Sequence, residues 1–161
     1  MMLTLRLATA EDTEKLGQAL ARSLPQQPVI LYLEGDLGAG KTTTARALLR
    51  ELGVAGAVRS PTYTLIERYE TLHGEIAHLD LYRIADPDEL HYLALDELAE
   101  RSRLWLIEWP QRGQGALPRA DLHLRLRIDG DGRSAALAAE TDVGAEWLRR
   151  IETDRSFAVP G

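Results

Sequence analysis

Apolar residues come in two kinds of run along this chain, alternating and continuous, and the elements follow from which kind appears where. Leu3, Leu5 and Leu7 alternate with Thr4 and Arg6, the period of a strand with one wet face. Thr9 followed by Asp12 makes a helix-start box, and Leu16, Ala19, Leu20 and Leu24 recur at helical spacing behind it. Pro25-Gln26-Gln27-Pro28 stops that helix. Val29 to Leu33 is continuously apolar, as in a strand covered on both faces, and it runs straight into Gly35-Asp36-Leu37-Gly38-Ala39-Gly40-Lys41-Thr42-Thr43. Ala45, Leu48, Leu49 and Leu52 then share one face of a second helix, with Gly53 as its C-cap.

The middle of the chain predicts a hairpin, with strands over 63–70 and 75–82 joined by Thr71-Leu72-His73-Gly74. Asp86-Pro87-Asp88-Glu89 is a strong helix start, and the helical region is expected to run to about Arg101. Leu104 to Ile107 reads as another buried strand, ending at Glu108-Trp109-Pro110, before a Gly-rich loop from Gln111 to Pro118. Leu122, Leu124, Leu126 and Ile128 alternate with His123, Arg125 and Arg127. Asp129-Gly130-Asp131-Gly132 turns that strand back into one from Arg133 to Glu140. A last helix starts near Asp142 and carries Trp147, Leu148 and Ile151, leaving a loose tail over about 153–161. The order predicts a single α/β domain over 1–161: helices on both faces of a mixed, mainly parallel sheet, with antiparallel hairpins inserted.

Composition narrows the class. At 161 residues, with 45% hydrophobic and 27% charged, the chain is an ordinary globular one. It has no cysteine, which excludes disulfides, thiolate metal sites and cysteine nucleophiles and suits a reducing cytoplasm. No apolar stretch is long enough for a membrane helix, and the N-terminus lacks the pattern of a secretory signal. The net charge of −6 argues against unaided gripping of a nucleic-acid backbone, where affinity comes from neutralising phosphates.

Gly35 to Thr42 fits G-x-x-x-x-G-K-[ST], between a buried strand and a helix. In such a loop the backbone N–H groups from Leu37 to Thr42 converge on a phosphate, and the helix directs the positive end of its dipole to the same place. Lys41 supplies a compact charge to the β and γ oxygens, and Thr42 offers a hard oxygen for Mg²⁺. Of 19 basic residues only Lys15 and Lys41 are lysine, so one of two falls where an arginine fork would not fit. Small-molecule kinases and nucleotide-gated binding modules use the same loop, and both classes stay open beside an ATPase.

A second acid is expected at a strand end near the cation. Glu108 fits, and Asp80, closing the set Ile76, His78, Asp80, is its rival. One would hold the cation's water shell and the other would orient the attacking water. The chain has no asparagine, so the Asn-Lys-x-Asp pattern of guanine readers is absent and adenine is expected. Ser60-Pro61-Thr62 is either a γ-phosphate-sensing switch or a plain turn. The four histidines show no metal-ligand spacing and read as surface or strand-face residues. Trp109 reads as core or as contact surface.

Four segments together resemble the bacterial TsaE (YjeE) family: the Gly35–Thr43 loop, Ser60-Pro61-Thr62-Tyr63-Thr64, His78-Leu79-Asp80-Leu81-Tyr82-Arg83 and Glu108-Trp109-Pro110. The resemblance spans about Leu3 to Leu148. It implies an ATPase of cytoplasmic tRNA threonylcarbamoyladenosine (t6A) modification that works with a TsaD–TsaB heterodimer and meets tRNA through those partners. Carried over, Thr42 and Glu108 would ligate Mg²⁺, and Gly38 to Thr43 would hold the phosphates of ATP. Asp36, Leu37 and Ala39 belong to the same loop. The segment with Ser60 and Thr62 would be a switch, Asp80 would be needed for hydrolysis, and Trp109 would be functionally sensitive. Gln111 and Arg133 would be nucleotide contacts.

Overall fold

The computed structural model describes residues 1–58, 61 and 65–154. Ser60, Thr62 and residues 155–161 of the expected tail lie outside them. Among the described residues seven strands form one sheet: β1 (Met2–Leu7), β2 (Val29–Glu34), β3 (Ile66–Thr71), β4 (Gly74–Asp80), β5 (Ser102–Glu108), β6 (Leu122–Asp129) and β7 (Gly132–Ala139). Their order across the sheet is β1-β7-β6-β2-β5-β4-β3. The pairs β2–β5, β2–β6 and β4–β5 are parallel, while β1–β7, β6–β7 and β3–β4 are antiparallel. Five strands therefore point one way, and only β3 and β7 oppose them.

The continuous and alternating runs fold as their patterns require. In β5, Leu104 and Leu106 enter one core cluster and Trp105 and Ile107 the other, so both faces are buried. The first cluster lies under α1 (Ala10–Arg22), α2 (Lys41–Glu51) and α4 (Asp142–Thr153). It gathers Leu16, Leu20, Leu48, Leu49, Trp147 and Ile151 against Leu31, Leu33, Leu124 and Leu137. A Cβ added at Gly17 would sit 2.5 Å from the Thr44 carbonyl oxygen, so the missing side chain lets α1 and α2 pack closely. The second cluster lies under a 3₁₀ turn over Pro87–Leu93 and α3 (Leu95–Arg101). The result is three layers, with the second helical layer covering only the β5–β4 side. The neighbouring face of β6, carrying Arg125 and Arg127, stays exposed as expected.

The helical region after Asp86 reaches Arg101 as expected, but in two pieces. The capping box forms, with Asp86 Oδ1 accepting the Asp88 N–H and Glu89 Oε2 accepting the Asp86 N–H. The helix nevertheless breaks at Ala94, which is left-handed at φ 49°. Leu90 and Leu98 are the single buried residues of the two pieces, too little apolar anchoring to enforce one continuous helix. Strand β4 ends at Asp80 rather than Tyr82, because the Asp80 carboxylate accepts the Tyr82 N–H at 3.0 Å and turns the chain. The Gly-rich loop after Trp109 holds a 3₁₀ turn over Pro110–Gly113.

Candidate nucleotide site

Three parallel strands, β2, β5 and β4, finish side by side, and the functional candidates stand at their ends. The loop from Gly35 to Gly40 joins β2 to α2, with Gly38 at φ 82° and Gly40 at φ 111°, backbone that a side chain would strain. Gly40 caps α2 and has no side chain, so the first N–H groups of that helix face outward uncapped. An uncapped helix start is an anion site by its own electrostatics. Thr44 is buried and closes the turn by donating both its N–H (2.9 Å) and its hydroxyl (2.8 Å) to the Gly40 carbonyl.

Lys41 is 6% exposed and lies back over its own loop. Its Nζ donates to the carbonyl of Gly35 and, at 3.1 Å, to that of Asp36, and it stands 4.5 Å from the Trp109 ring centroid. Burial pushes the ammonium below the ordinary lysine value, while Glu108, Asp80 and Asp36 pull the other way. Trp109 is held left-handed at φ 56°, an uncommon conformation for a bulky residue, and packs on Tyr82 with centroids 4.9 Å apart. Trp109 is half-buried: it packs against the second core cluster and also walls the pocket that holds Lys41.

Asp80 and Glu108 are register partners across β4 and β5, and the Leu81 N–H donates to the Glu108 carbonyl to keep the two ends level. Both carboxylates are buried, at 7% and 3% exposure. Burial is the main cause raising the Asp80 carboxyl above the ordinary aspartate value; the Tyr82 N–H works against it and neighbouring Glu108 adds to it. A cavity of about 270 Å³ brings these groups together, lined by Gly38, Lys41, Thr42, Thr43, Asp80 and Glu108 among others.

The hard oxygens of Thr42, Asp80 and Glu108 suit a magnesium ion. Among the described residues no group of three or more histidines, cysteines and acids is placed to hold a metal. A cation here would draw its remaining ligands from phosphate and water, which is how magnesium is usually held beside a nucleotide.

Other expected residues fall around this pocket. Arg133 reaches over the loop, its guanidinium donating to the Gly38 carbonyl at 3.1 Å. It lines a second cavity of about 210 Å³, with Thr9, Thr13 and Thr43, on the other flank of the loop. Gln111 is outside both of these cavities but still beside the loop, lining one of about 320 Å³ with Gly35, Asp36 and Trp109. It also lines a cavity of about 400 Å³ on the opposite sheet face, with Tyr32, Glu34 and His123. Ser60 and Thr62 lie outside the described residues.

His78 takes the strand-face alternative, on β4. It is 2% exposed rather than a surface residue, and its Nε2 lies 2.7 Å from Glu108 Oε2. The alternation Ile76, His78, Asp80 had already placed it on the face of the acids, and that parity was the available signal.

Three comparisons bear on this site. A family model described as "Threonylcarbamoyl adenosine biosynthesis protein TsaE" matches residues 7–135. The tRNA threonylcarbamoyladenosine biosynthesis protein TsaE of Haemophilus influenzae is 41% identical over 131 residues, covering 81% of this chain and 83% of that protein. The protein of the same name from Bacillus subtilis is 34% identical over 126 residues, 78% of each. The crystal structure of Bacillus subtilis YdiB superposes with a TM-score of 0.80 at 26% identity, covering 94% of this chain and 95% of that one.

Proposed function

The chain belongs to the TsaE family of threonylcarbamoyladenosine biosynthesis proteins, and from that premise we propose that it is a magnesium-dependent ATPase serving tRNA modification. The observation that carries this reading is the uncapped start of α2, facing a pocket that also holds Lys41, Asp80 and Glu108. An anion site with a lysine ammonium on one side and two buried carboxylates on the other fits a nucleotide phosphate chain with its cation.

The roles follow from the positions. Backbone N–H groups from Leu37 to Thr43 hold the phosphates, with Asp36 and Ala39 shaping the loop. Lys41 leaves its carbonyl partners and moves onto the terminal phosphoryl oxygens, where charge develops during transfer. Thr42 and Glu108 hold magnesium, which when bound supplies charge neutralisation on the phosphoryl oxygens. Asp80 orients the attacking water and accepts its proton, a task for which a carboxyl raised by burial is better suited than an ordinary one. Arg133 meets the nucleotide from the second flank of the loop, and Gln111 contributes from behind Trp109. Ser60 and Thr62 form the switch that senses the γ-phosphate.

The latched Lys41 favours weak turnover by the isolated protein, because the ammonium must first be freed. We infer that the TsaD–TsaB heterodimer raises this activity, that tRNA is met through those partners in the cytoplasm, and that an acidic surface suffices for that reason. Among the described residues no helix is long and apolar enough to cross a membrane. The test is the rate of phosphate release from ATP by the chain alone and with purified TsaD–TsaB and tRNA. Stimulation by the partners is expected, and equal rates would refute the coupling.

A further inference from the structure

Within the reading of this pocket as a magnesium–nucleotide site, we propose that His78 is a positioning residue: it fixes which oxygen of Glu108 is offered to the cation and so sets a preference for magnesium over larger divalent ions. His78 and Glu108 are 2% and 3% exposed. They meet diagonally across β4 and β5, His78 being level with Leu106 while Glu108 is level with Asp80. An ionised carboxylate only accepts, so the hydrogen of the 2.7 Å contact is carried by Nε2 and donated to Oε2.

The other ring nitrogen, Nδ1, is buried without a hydrogen-bond partner among the described residues. A leucine would fill that space without leaving a buried nitrogen unpaired. The imidazole therefore serves no polar network of its own, and its one directional contact is with the carboxylate. The consequence lies on the far oxygen. Oε2 is engaged by the ring, and Oε1 has no hydrogen bond among the described residues, while Glu108 lines the cavity that holds Thr42.

A carboxylate held in this way offers one oxygen. Magnesium, small and octahedral, takes carboxylates through single oxygens, whereas calcium readily takes both. Holding Oε2 on His78 thus disfavours the two-oxygen mode and with it the larger ion. Groups that hold a metal ligand by a hydrogen bond in this way usually matter for metal affinity as well as for ligand orientation.

The test is equilibrium binding of a fluorescent ATP analogue to the full chain, titrated separately with Mg²⁺ and Ca²⁺, for the wild type, His78→Leu and His78→Gln. In His78→Leu the Mg²⁺ concentration for half-maximal binding should rise about tenfold, with that for Ca²⁺ moving less than about twofold. His78→Gln, whose amide N–H can reach the same oxygen, should return the Mg²⁺ value most of the way to wild type. An unchanged Mg²⁺/Ca²⁺ ratio in folded His78→Leu would overturn the proposal, as would a glutamine variant as impaired as the leucine one. Should His78→Leu not fold, His78→Met makes the same comparison. A wild type that binds the analogue with no dependence on Mg²⁺ would overturn the magnesium–nucleotide reading itself, an outcome distinct from failure of the His78 variants alone.

Discussion

The sheet carries two histidine–glutamate pairs near the same strand ends, one on each face. On the face covered by α1 and α2, His78 and Glu108 are 2.7 Å apart with side chains 3% and 4% exposed. On the other face, His123 and Glu34 are 2.9 Å apart at 12% and 23% exposure. The similar distances conceal different interactions. His78 makes an aligned hydrogen bond, whereas His123 Nε2 has close contact with Glu34 but no bond of acceptable direction, and direction decides the strength. Glu34 is shared with Arg125 at 2.9 Å, and Glu140 stands 4.0 Å from the other side of the His123 ring. The rear pair is thus one part of a half-wet charge cluster, and the front pair is a single fixed contact in a dry place.

Cavity size teaches the same lesson. The rear cavity, about 400 Å³, is larger than the front pocket of about 270 Å³. It has neither a loop of converging backbone N–H groups nor a lysine, and its one arginine, Arg119, shares it with Glu34 and Glu140.

The sharpest way to break the comparison is to remove the charge that distinguishes the front pocket. Lys41→Met should weaken ATP binding by at least about a hundredfold, measured by calorimetry. The same change should raise the melting temperature of the ligand-free protein, because an ammonium no longer has to be buried. Retained binding would show that the helix start alone holds the phosphates. Next, Asp80→Asn should lower ATP turnover about 10²–10⁴-fold while leaving binding in place. If this variant still supports t6A formation in a reconstituted reaction, the protein is a nucleotide-gated module rather than a working ATPase.

Smaller effects test the pairs directly. His78→Ala should lower stability by about 1–3 kcal/mol in chemical denaturation, since it strands a buried carboxylate. His123→Ala should lose less than about 1 kcal/mol. Equal losses would erase the distinction between the two faces.

The smallest effect is in pH. The folded-state value of Asp80 is raised, so the folded protein holds that proton more tightly than the unfolded chain does. Stability from this group is present at low pH and is lost as pH rises above the ordinary aspartate value of 3.8. Asp80→Asn should therefore be the more stable protein at neutral pH, and its advantage should vanish when melting curves are taken below that value.

What could be read in advance was local. The loop from Gly35 to Thr42 carries its chemistry in eight consecutive positions, and the strand before it and helix after it are written in periodicity. Asp80 and Glu108 were legible as strand ends, though not as register partners, since pairing is decided by the order of strands in the sheet. His78 escaped because two separate strands bring it to Glu108 and no spacing in the chain encodes that meeting. Arg133 entered through the family resemblance alone; it reaches Gly38 because a hairpin far along the chain folds back beside the loop. The helical region expected after Asp86 does run to Arg101, but its break at Ala94 was not legible, because it follows from having too few buried residues to sustain one continuous helix.

One feature of the sheet edge reaches further than its position suggests. Strand β1 is an edge strand that pairs with β7 alone, yet its last residue, Leu7, lies opposite Arg133 and lines the same cavity. A Cβ at Gly132 would come within 2.5 Å of the Leu7 carbonyl, so this seam has no slack. Fraying of the outermost strand on warming would loosen the arginine at the phosphate loop, and affinity for nucleotide should begin to decline before the core melts.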